Sequence, residues 1–446
     1  MHNRQIGWQD GDGLGHWGQT MLCEWFKGLL LASLLGGLCA PVQANTTGAG
    51  ISADIPQSIG ATGPAGSSKS PVRIAQNDIT ISPDTIWRTA PVPPPVPVIP
   101  QKPLPIRIGL LLPLRSDALG QAANMVRAGF LAAYEREKDD SVSISVLETG
   151  DAMQDVLSGY KAAVRDHDIV VGPLSRSGVT AIAQSGAVSK PTIALAQPDM
   201  PGDVDIILPY KMMIMGLSVE EEARQVANWA YADKRVGKAF AISTGTSWQR
   251  RAAKAFSAQW QRLGGEPESM ELGMSGGYFS ANGLVELKKR IQADKPVILF
   301  VALDAAQARQ VREAIGTEVM FYGTSQLNPL TLAEWGSAER ISELNGVRLV
   351  DMPWQLQPDH TAVMVYPRLV VDADQRRNAD LERLYALGID AYRVAKEIAS
   401  NQTKFEIDGV TGRLAVSFGK GAARFERTEL PATYQDGMVV PVAGVR

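Results

Sequence analysis

The sequence predicts an α/β fold of mainly parallel sheets arranged as two lobes. Three observations predict it. From Ile106 to Tyr322, short apolar runs alternate with stripes of helical period. The runs are apolar at successive positions, as strands buried on both faces must be. The cycle closes near Leu208 and starts again at Ser218. Strand–helix alternation of this kind means α/β with parallel sheets, and two successive series mean two lobes.

Ile106–Leu112 reads as a buried strand ended by Pro113. Leu119, Ala122, Ala123, Val126, Phe130, Ala133 and Tyr134 then recur with the 3.6-residue period of a helix. Val142–Leu147 is the next strand, with Val142, Ile144 and Val146 alternating against polar positions. A helix over Met153–Val164 follows, then the strand Asp168–Val171 stopped by Gly172-Pro173, a helix over Val179–Val188, and the strand Thr192–Leu195. Asp205–Leu208 closes the first series as a strand.

The second series opens with a helix over Ser218–Trp229. Its first turn carries Glu220, Glu221 and Glu222, which suit the positive end of a helix, and Ser218 suits its N-cap. Strand Lys238–Ile242, helix Trp248–Leu263 stopped by Gly264-Gly265, helix Leu284–Ile291, strand Val297–Val301, helix Ala305–Ile315 and strand Val319–Tyr322 complete it. Leu381–Ala399 is a last strong helix, and Lys404–Phe425 reads as a short β tail.

The chain has 446 residues, with 44 Lys+Arg against 47 Asp+Glu. That balance argues against a nucleic-acid partner, which calls for a basic surface. Both cysteines lie early, at Cys23 and Cys39, around the apolar run Gly28–Leu38. Lys27 precedes the run and Val42-Gln43-Ala44 follows it. This is the layout of a secretory signal peptide over residues 1–44. The run is about 12 residues, short of the roughly 20 that a membrane span needs. An uncleaved anchor is the alternative. Asp10 and Asp12 make a poor positive region, so Met21 is the expected start. A lipoprotein signal needs a small residue before its cysteine, and Leu38 stands there. Cleavage after Ala44 is therefore expected, giving a periplasmic protein with no membrane span and no cysteine. An outer-membrane lipoprotein modified at Cys39 is the alternative.

Residues 45–105 are expected to be a disordered linker, first rich in Gly and Ser and then in Pro (Ala90–Pro100, Pro103, Pro105). The proline part suits an extended, semi-rigid spacer.

Enzyme chemistry finds little support. There is no G-x-S-x-G elbow, no P-loop and no G-x-G-x-x-G after a strand. Only His167 and His360 remain after cleavage, too few for a metal centre, and neither lies where it could serve Ser175 as a base. Asp390, and Asp151 with Asp155, are spaced like solvated helix faces. No catalytic residue, metal or cofactor is expected. Met212-Met213-Ile214-Met215 is an outlier, read either as core filling at the lobe junction or as an adaptable binding surface.

Ligands of open α/β sheets sit outside the carboxyl ends of the strands. The candidate cleft residues on these loops are Arg115, Ser175, Ser177, Gln197 and Ser325. Ser175 and Ser177, with the free N–H groups of the next helix, could hold an anion or carboxylate. Simple capping by Ser175 is the alternative.

Several blocks together resemble the type I periplasmic-binding-protein fold. They are Ile106–Leu114, Arg127-Ala128-Gly129-Phe130-Leu131-Ala132-Ala133-Tyr134, Val170-Val171-Gly172-Pro173-Leu174, Phe321–Ser325, Gly346–Trp354 and Ala386–Tyr392. With Gly409-Val410-Thr411-Gly412-Arg413-Leu414, the set over residues 106–446 is similar to the penicillin-binding protein activator family (LpoA, also called LppC). The resemblance implies lobe one over about 106–209 and 318–403, and lobe two over about 210–317 and 404–446. It implies a non-catalytic envelope protein that contacts a bifunctional peptidoglycan synthase, a penicillin-binding protein, and stimulates cross-linking. Members of the family carry a helical-repeat domain ahead of this region, where this chain has its Pro-rich stretch. The alternative is a receptor of the same fold that captures an amino acid or similar small ligand for an ABC transporter. Leucine-type receptors hold the ligand's carboxylate and ammonium through residues after these strands. The matching stretches are Ser175-Arg176-Ser177 and Ala196-Gln197, with Ser325 where an acid often meets the ammonium. Ala196 stands where a hydroxyl is expected, and an ammonium left unpaired in a closed cleft is costly.

Overall fold

A computed structural model describes residues 104–199, 207–233, 236–329, 340–368, 378–419 and 421–442. The expected signal peptide (1–44) and all but the last two residues of the expected linker (45–105) lie outside the described residues.

The first series forms β1 (Ile106–Leu112), α1 (Gly120–Glu137), β2 (Val142–Glu148), α2 (Met153–Asp166), β3 (Ile169–Val171), α3 (Arg176–Gln184), β4 (Thr192–Ala194) and β5 (Met212–Ile214). The strands make a parallel sheet in the order β2-β1-β3-β4-β5. The second series gives α4 (Val219–Ala232), β6 (Lys238–Ser243), α5 (Ser247–Arg262), β7 (Glu266–Glu271) and the two-residue pair β8 (Met274–Ser275) and β9 (Tyr278–Phe279). It continues with α6 (Ala281–Asp294), β10 (Ile298–Val301), α7 (Ala305–Ile315), β11 (Met320–Gly323) and β12 (Arg348–Asp351). The chain ends with the short helices α8 (Pro353–Leu356) and α9 (Thr361–Met364), the long α10 (Ala379–Ala399), and strands β13 (Lys404–Asp408), β14 (Arg413–Ser417), β15 (Arg424–Thr428), β16 (Leu430–Gln435) and β17 (Met438–Pro441). The second sheet runs β17-β16-β12-β11-β10-β6-β7, and β16 and β17 are its antiparallel members.

The apolar strands are explained by burial on both faces. In β1, Ile108, Leu110 and Leu112 enter the core shared with α1 and α10, while Leu111 points to the core under α2 and α3. In β10, Ile298 and Phe300 face α4 and α5, and Leu299 and Val301 face the opposite core. Each lobe is thus a sheet covered on both sides.

Two glycines from the blocks quoted above explain how α1 and α10 meet. A Cβ on Gly129 would lie 1.9 Å from the Tyr385 carbonyl oxygen, and one on Gly388 would lie 2.1 Å from that of Val126. The two backbones touch where neither helix has a side chain, and Phe130 packs edge-on against Tyr392 beside them, with ring centres 5.4 Å apart.

Sheet membership differs from the expected partition. β5 pairs with β4 (Ile193↔Met213), so the first sheet reaches beyond residue 209. β11 and β12, expected in lobe one, belong to the second sheet (Leu299↔Phe321, Gly323↔Leu349). β13–β15, expected in lobe two, form a separate antiparallel sheet whose Ile407, Leu414 and Val416 complete the lobe-one core. The physical reason is edge pairing. The crossover through α7 delivers β11 beside β10, and the register of neighbouring strands then decides the sheet, which local pattern does not report. The strand expected at Asp205–Leu208 is not found at Ile207 or Leu208, and the edge strand is Met212–Ile214 instead. The methionines are core filling: Met212, Met213 and Met215 are buried.

Among the described residues, the chain passes between the two lobes at three places: Met215–Ser218, Asp351–Pro353 and Thr428–Leu430. These crossings frame the site.

Candidate functional site

The loops at the carboxyl ends of the first sheet use most of their polar atoms locally. Arg115 follows β1 and is exposed; its Nη2 lies 2.8 Å from Asp155 Oδ2 and donates to the Glu148 carbonyl at 3.3 Å. Asp155 also accepts from Gly150 N, so this aspartate closes a loop rather than decorating a solvated face. Ser175 is the N-cap of α3, and its buried Oγ accepts from Gly178 N at 3.2 Å. Its hydroxyl thus satisfies one of the donors that the helix start leaves open. Ser177 is half-buried at the second helical position, and Gln197 is half-buried in the loop after β4. Between them Arg176 ties the two loops together, donating to Asp199 at 3.0 Å and to the Pro198 carbonyl at 2.8 Å. Arg115, Ser175, Ser177 and Gln197 therefore share one end of the first sheet, about the point where strand order reverses between β1 and β3.

Ser325 belongs to the second lobe, in a single 3-10 turn after β11. It is buried, its N–H donates to Glu222 Oε2 at 2.8 Å, and its carbonyl accepts from Arg383 at 3.1 Å. It is part of the junction between the lobes, not a free hydroxyl on a loop.

That junction holds a network of buried polar groups, and the sequence pattern does not announce it. Arg383, from α10 of the first lobe, reaches Asp351 at the end of β12 in the second, with Nη2–Oδ2 2.8 Å and Nε–Oδ1 3.2 Å. Asp351 also accepts from Asn328 Nδ2 and Met352 N, both at 2.8 Å. Burial works against the Arg383 charge, yet Asp351 and Asp380 hold its pKa above the ordinary guanidinium range. Arg427 locks the first crossing to the third, donating to the Met215 carbonyl at 2.8 Å and the Gly216 carbonyl at 3.3 Å. Gln225 on α4 holds the backbone at the third crossing, donating to the Arg427 carbonyl (2.8 Å) and accepting from Glu429 N (3.0 Å).

Two carboxyls remain. Glu222 is buried, and burial pushes its pKa up to about 7 against the opposing pull of the Ser325 N–H. Glu429 is buried too, and burial together with the Glu222 charge pushes its pKa well above the usual carboxylate range. Its Oε2 has no hydrogen-bond partner.

Asp390 corrects the expectation of a solvated helix face. It is fully buried and accepts from Val410 N (3.1 Å), Thr411 N (2.8 Å) and Thr411 Oγ1 (2.7 Å). The turn Gly409–Gly412 is therefore clasped by α10. The sequence signal for two of these residues is a charge set among apolar neighbours: Asp351 after Leu349-Val350, and Asp390 after Ile389.

His167 is buried with Nδ1 3.0 Å from the Ala163 carbonyl, and His360 caps a short helix through Ala362 N. Among the described residues, no group of three or more His, Cys, Asp or Glu side chains is placed to hold a metal ion, and no helix is long and apolar enough to cross a membrane.

Comparison with known proteins agrees with the architecture. The C-domain of LpoA (YraM) from Haemophilus influenzae, described as a regulator of PBP1A, matches with a TM-score of 0.60 at 21% identity, covering 76% of this chain and 100% of that one. A putative branched-chain amino acid ABC transporter from Chromobacterium violaceum ATCC 12472 matches with a TM-score of 0.57 at 36% identity, covering 74% and 99%. The fold is thus the two-lobed type I periplasmic-binding-protein-like fold. The penicillin-binding protein activator LpoA of Photobacterium profundum is 24% identical over 344 residues, 69% of this chain and 53% of that protein. LpoA of Serratia proteamaculans is 26% identical over 314 residues, 62% and 44%. The chain spans about half the length of the curated relatives it matches. The family model described as LppC putative lipoprotein matches residues 100–272 and 284–437, through both lobes and all three crossings. The chain belongs to the LppC putative lipoprotein family.

Proposed function

We propose that this chain is a non-catalytic periplasmic protein that binds a bifunctional peptidoglycan synthase and stimulates its cross-linking activity by direct contact. The observation that carries this reading is the internal use of the groups a receptor would present to an amino acid. Ser175 is committed to capping α3, and Ser325 is buried between Glu222 and Arg383. Ala196 offers no hydroxyl. A free amino acid entering the cleft would lose water from its charged ends and find few partners in return. The relatives named as activators support the same reading.

The test is a pull-down with the full chain against a purified bifunctional penicillin-binding protein, followed by a cross-linking assay. Recovery of the synthase and a higher cross-linking rate are expected. Absence of binding to any such synthase refutes the reading.

The receptor reading has one specific observation in its favour, the 36% identity to a chain described as a branched-chain amino acid ABC transporter. Thermal unfolding with branched-chain amino acids separates the two. A receptor gains several degrees at saturating ligand, since binding to the native state alone stabilises by mass action, whereas the activator does not.

A further inference from the structure

A change in the angle between two lobes has to be absorbed by backbone rotation where the chain passes between them. In this chain the backbone at each of the three crossings is already held, and the contacts converge on one turn, Gly409–Gly412.

The turn itself is fixed from α10. Asp390 is fully buried and accepts from the N–H groups of Val410 and Thr411 and from the Thr411 hydroxyl. A Cβ on Gly409 would lie 2.6 Å from Asp390 Oδ2, so the carboxylate sits against bare backbone. Contacts then leave the turn toward every crossing. The Val410 carbonyl accepts from Trp354 N at 2.9 Å, beside the second crossing. Gly412 lies against the third. Its φ of 136° favours glycine, and a Cβ there would lie 2.5 Å from the Thr428 carbonyl oxygen. Thr411 Oγ1 accepts from Arg427 Nε at 3.1 Å, and the same guanidinium donates to the Met215 and Gly216 carbonyls of the first crossing. The Thr411 hydroxyl is thus a relay that gives its one proton to Asp390 and a lone pair to Arg427.

Gly216 has the backbone freedom to swivel, yet it is wedged. A Cβ on it would lie 2.6 Å from both Ala196 Cα and the Leu195 carbonyl oxygen, and Met215 N donates to the Ala194 carbonyl at 2.8 Å. From the second lobe, Gln225 holds the Arg427 carbonyl and Glu429 N. A hinge rotation would break several of these bonds together. Each buried group that loses its partner then carries its full desolvation cost.

We propose that the Gly409–Gly412 turn is a hinge lock: pinned by Asp390, it holds all three crossings and fixes the angle between the lobes. The chain does not close on a ligand as a hinged receptor does. It meets any partner as one rigid two-lobed body. Thr411 and Arg427 act through the backbone of the crossings and are positioning residues.

Distances between paired spin labels, read by pulsed electron resonance, test this on the full chain. Cys23→Ser and Cys39→Ser clear the background, and one label goes on each lobe, at Gln121→Cys of α1 and Gln292→Cys of α6, both exposed. With the lock intact the labels should give one narrow distance that added leucine does not shift. Thr411→Val keeps the side chain's shape and removes the relay, so it should broaden that distance or add a second one. Arg427→Gln should do the same, and Thr411→Ser should restore the narrow distance. Ser175→Ala weakens a helix cap away from the crossings and should stay narrow, which separates a loosened hinge from a general loss of stability. A broad distribution with the lock intact, or one that shifts with leucine, overturns the proposal. So does a narrow distance in both Thr411→Val and Arg427→Gln. The readings with the lock intact decide alone if a variant fails to fold. No synthase enters the measurement, so its outcome is independent of the activator reading.

Discussion

The strand-end loops of the first lobe and the junction between the lobes are both polar, but they use their polar groups in opposite ways. In the loops each side chain bonds a partner at the same end of the first sheet: Ser175 accepts from Gly178 N, and exposed Arg115 pairs with Asp155. At the junction the partners are buried and come from different lobes, as Arg383 of the first is with Asp351 of the second. Local bonds of the first kind hold a loop's shape. Buried bonds of the second kind tie one lobe to the other, and a missing partner there leaves a charge with no water to replace it.

The comparison breaks most easily at Arg383. Arg383→Ala strands Asp351 in the core and should cost about 3–5 kcal/mol, read as a lower urea midpoint. A loss no larger than that of a surface pair would mean that the junction is as forgiving as the loops. Ser175→Ala should cost about 1 kcal/mol, the usual value of an N-cap, and Ser175→Gly only a few tenths. If Ser175→Ala instead left stability unchanged and abolished binding of an amino acid, the hydroxyl would be a ligand group and the contrast would fail. Arg115→Ala should cost under about 1 kcal/mol, with a salt-dependent difference, because its pair with Asp155 is exposed. Equal unfolding midpoints for wild type and Arg115→Ala at high salt would sharpen the assignment of that pair to the surface class.

Much of the local structure is legible in the sequence. Helix Ala305–Ile315 has both ends where its apolar pattern puts them, and Ser218 caps α4 as its sequence suggests, accepting from Glu221 N. Both features depend on residues within one or two turns. Ser175 caps α3 for the same reason. The strand Glu266–Glu271 escapes the pattern because its alternating charges and its proline lack an apolar signal, yet it pairs along its whole length with β6 at the sheet edge. Asp390 reads wrongly as solvated because helical spacing tells which residues share a face, not whether a distant turn will cover that face.

The sequence by itself determined the alternation of buried strands and helices, the two series, the helix caps and the glycines at 129 and 388 that let two helices touch. These follow from periodicity, backbone freedom and burial, which act over a few neighbouring residues. Only the tertiary structure decided which sheet β5, β11 and β12 joined, that β13–β15 cover the first lobe, and that Glu222, Asp351, Arg383 and Glu429 are buried. Those outcomes rest on pairings across long stretches of chain, where edge register and the cost of burying charge outweigh any local preference.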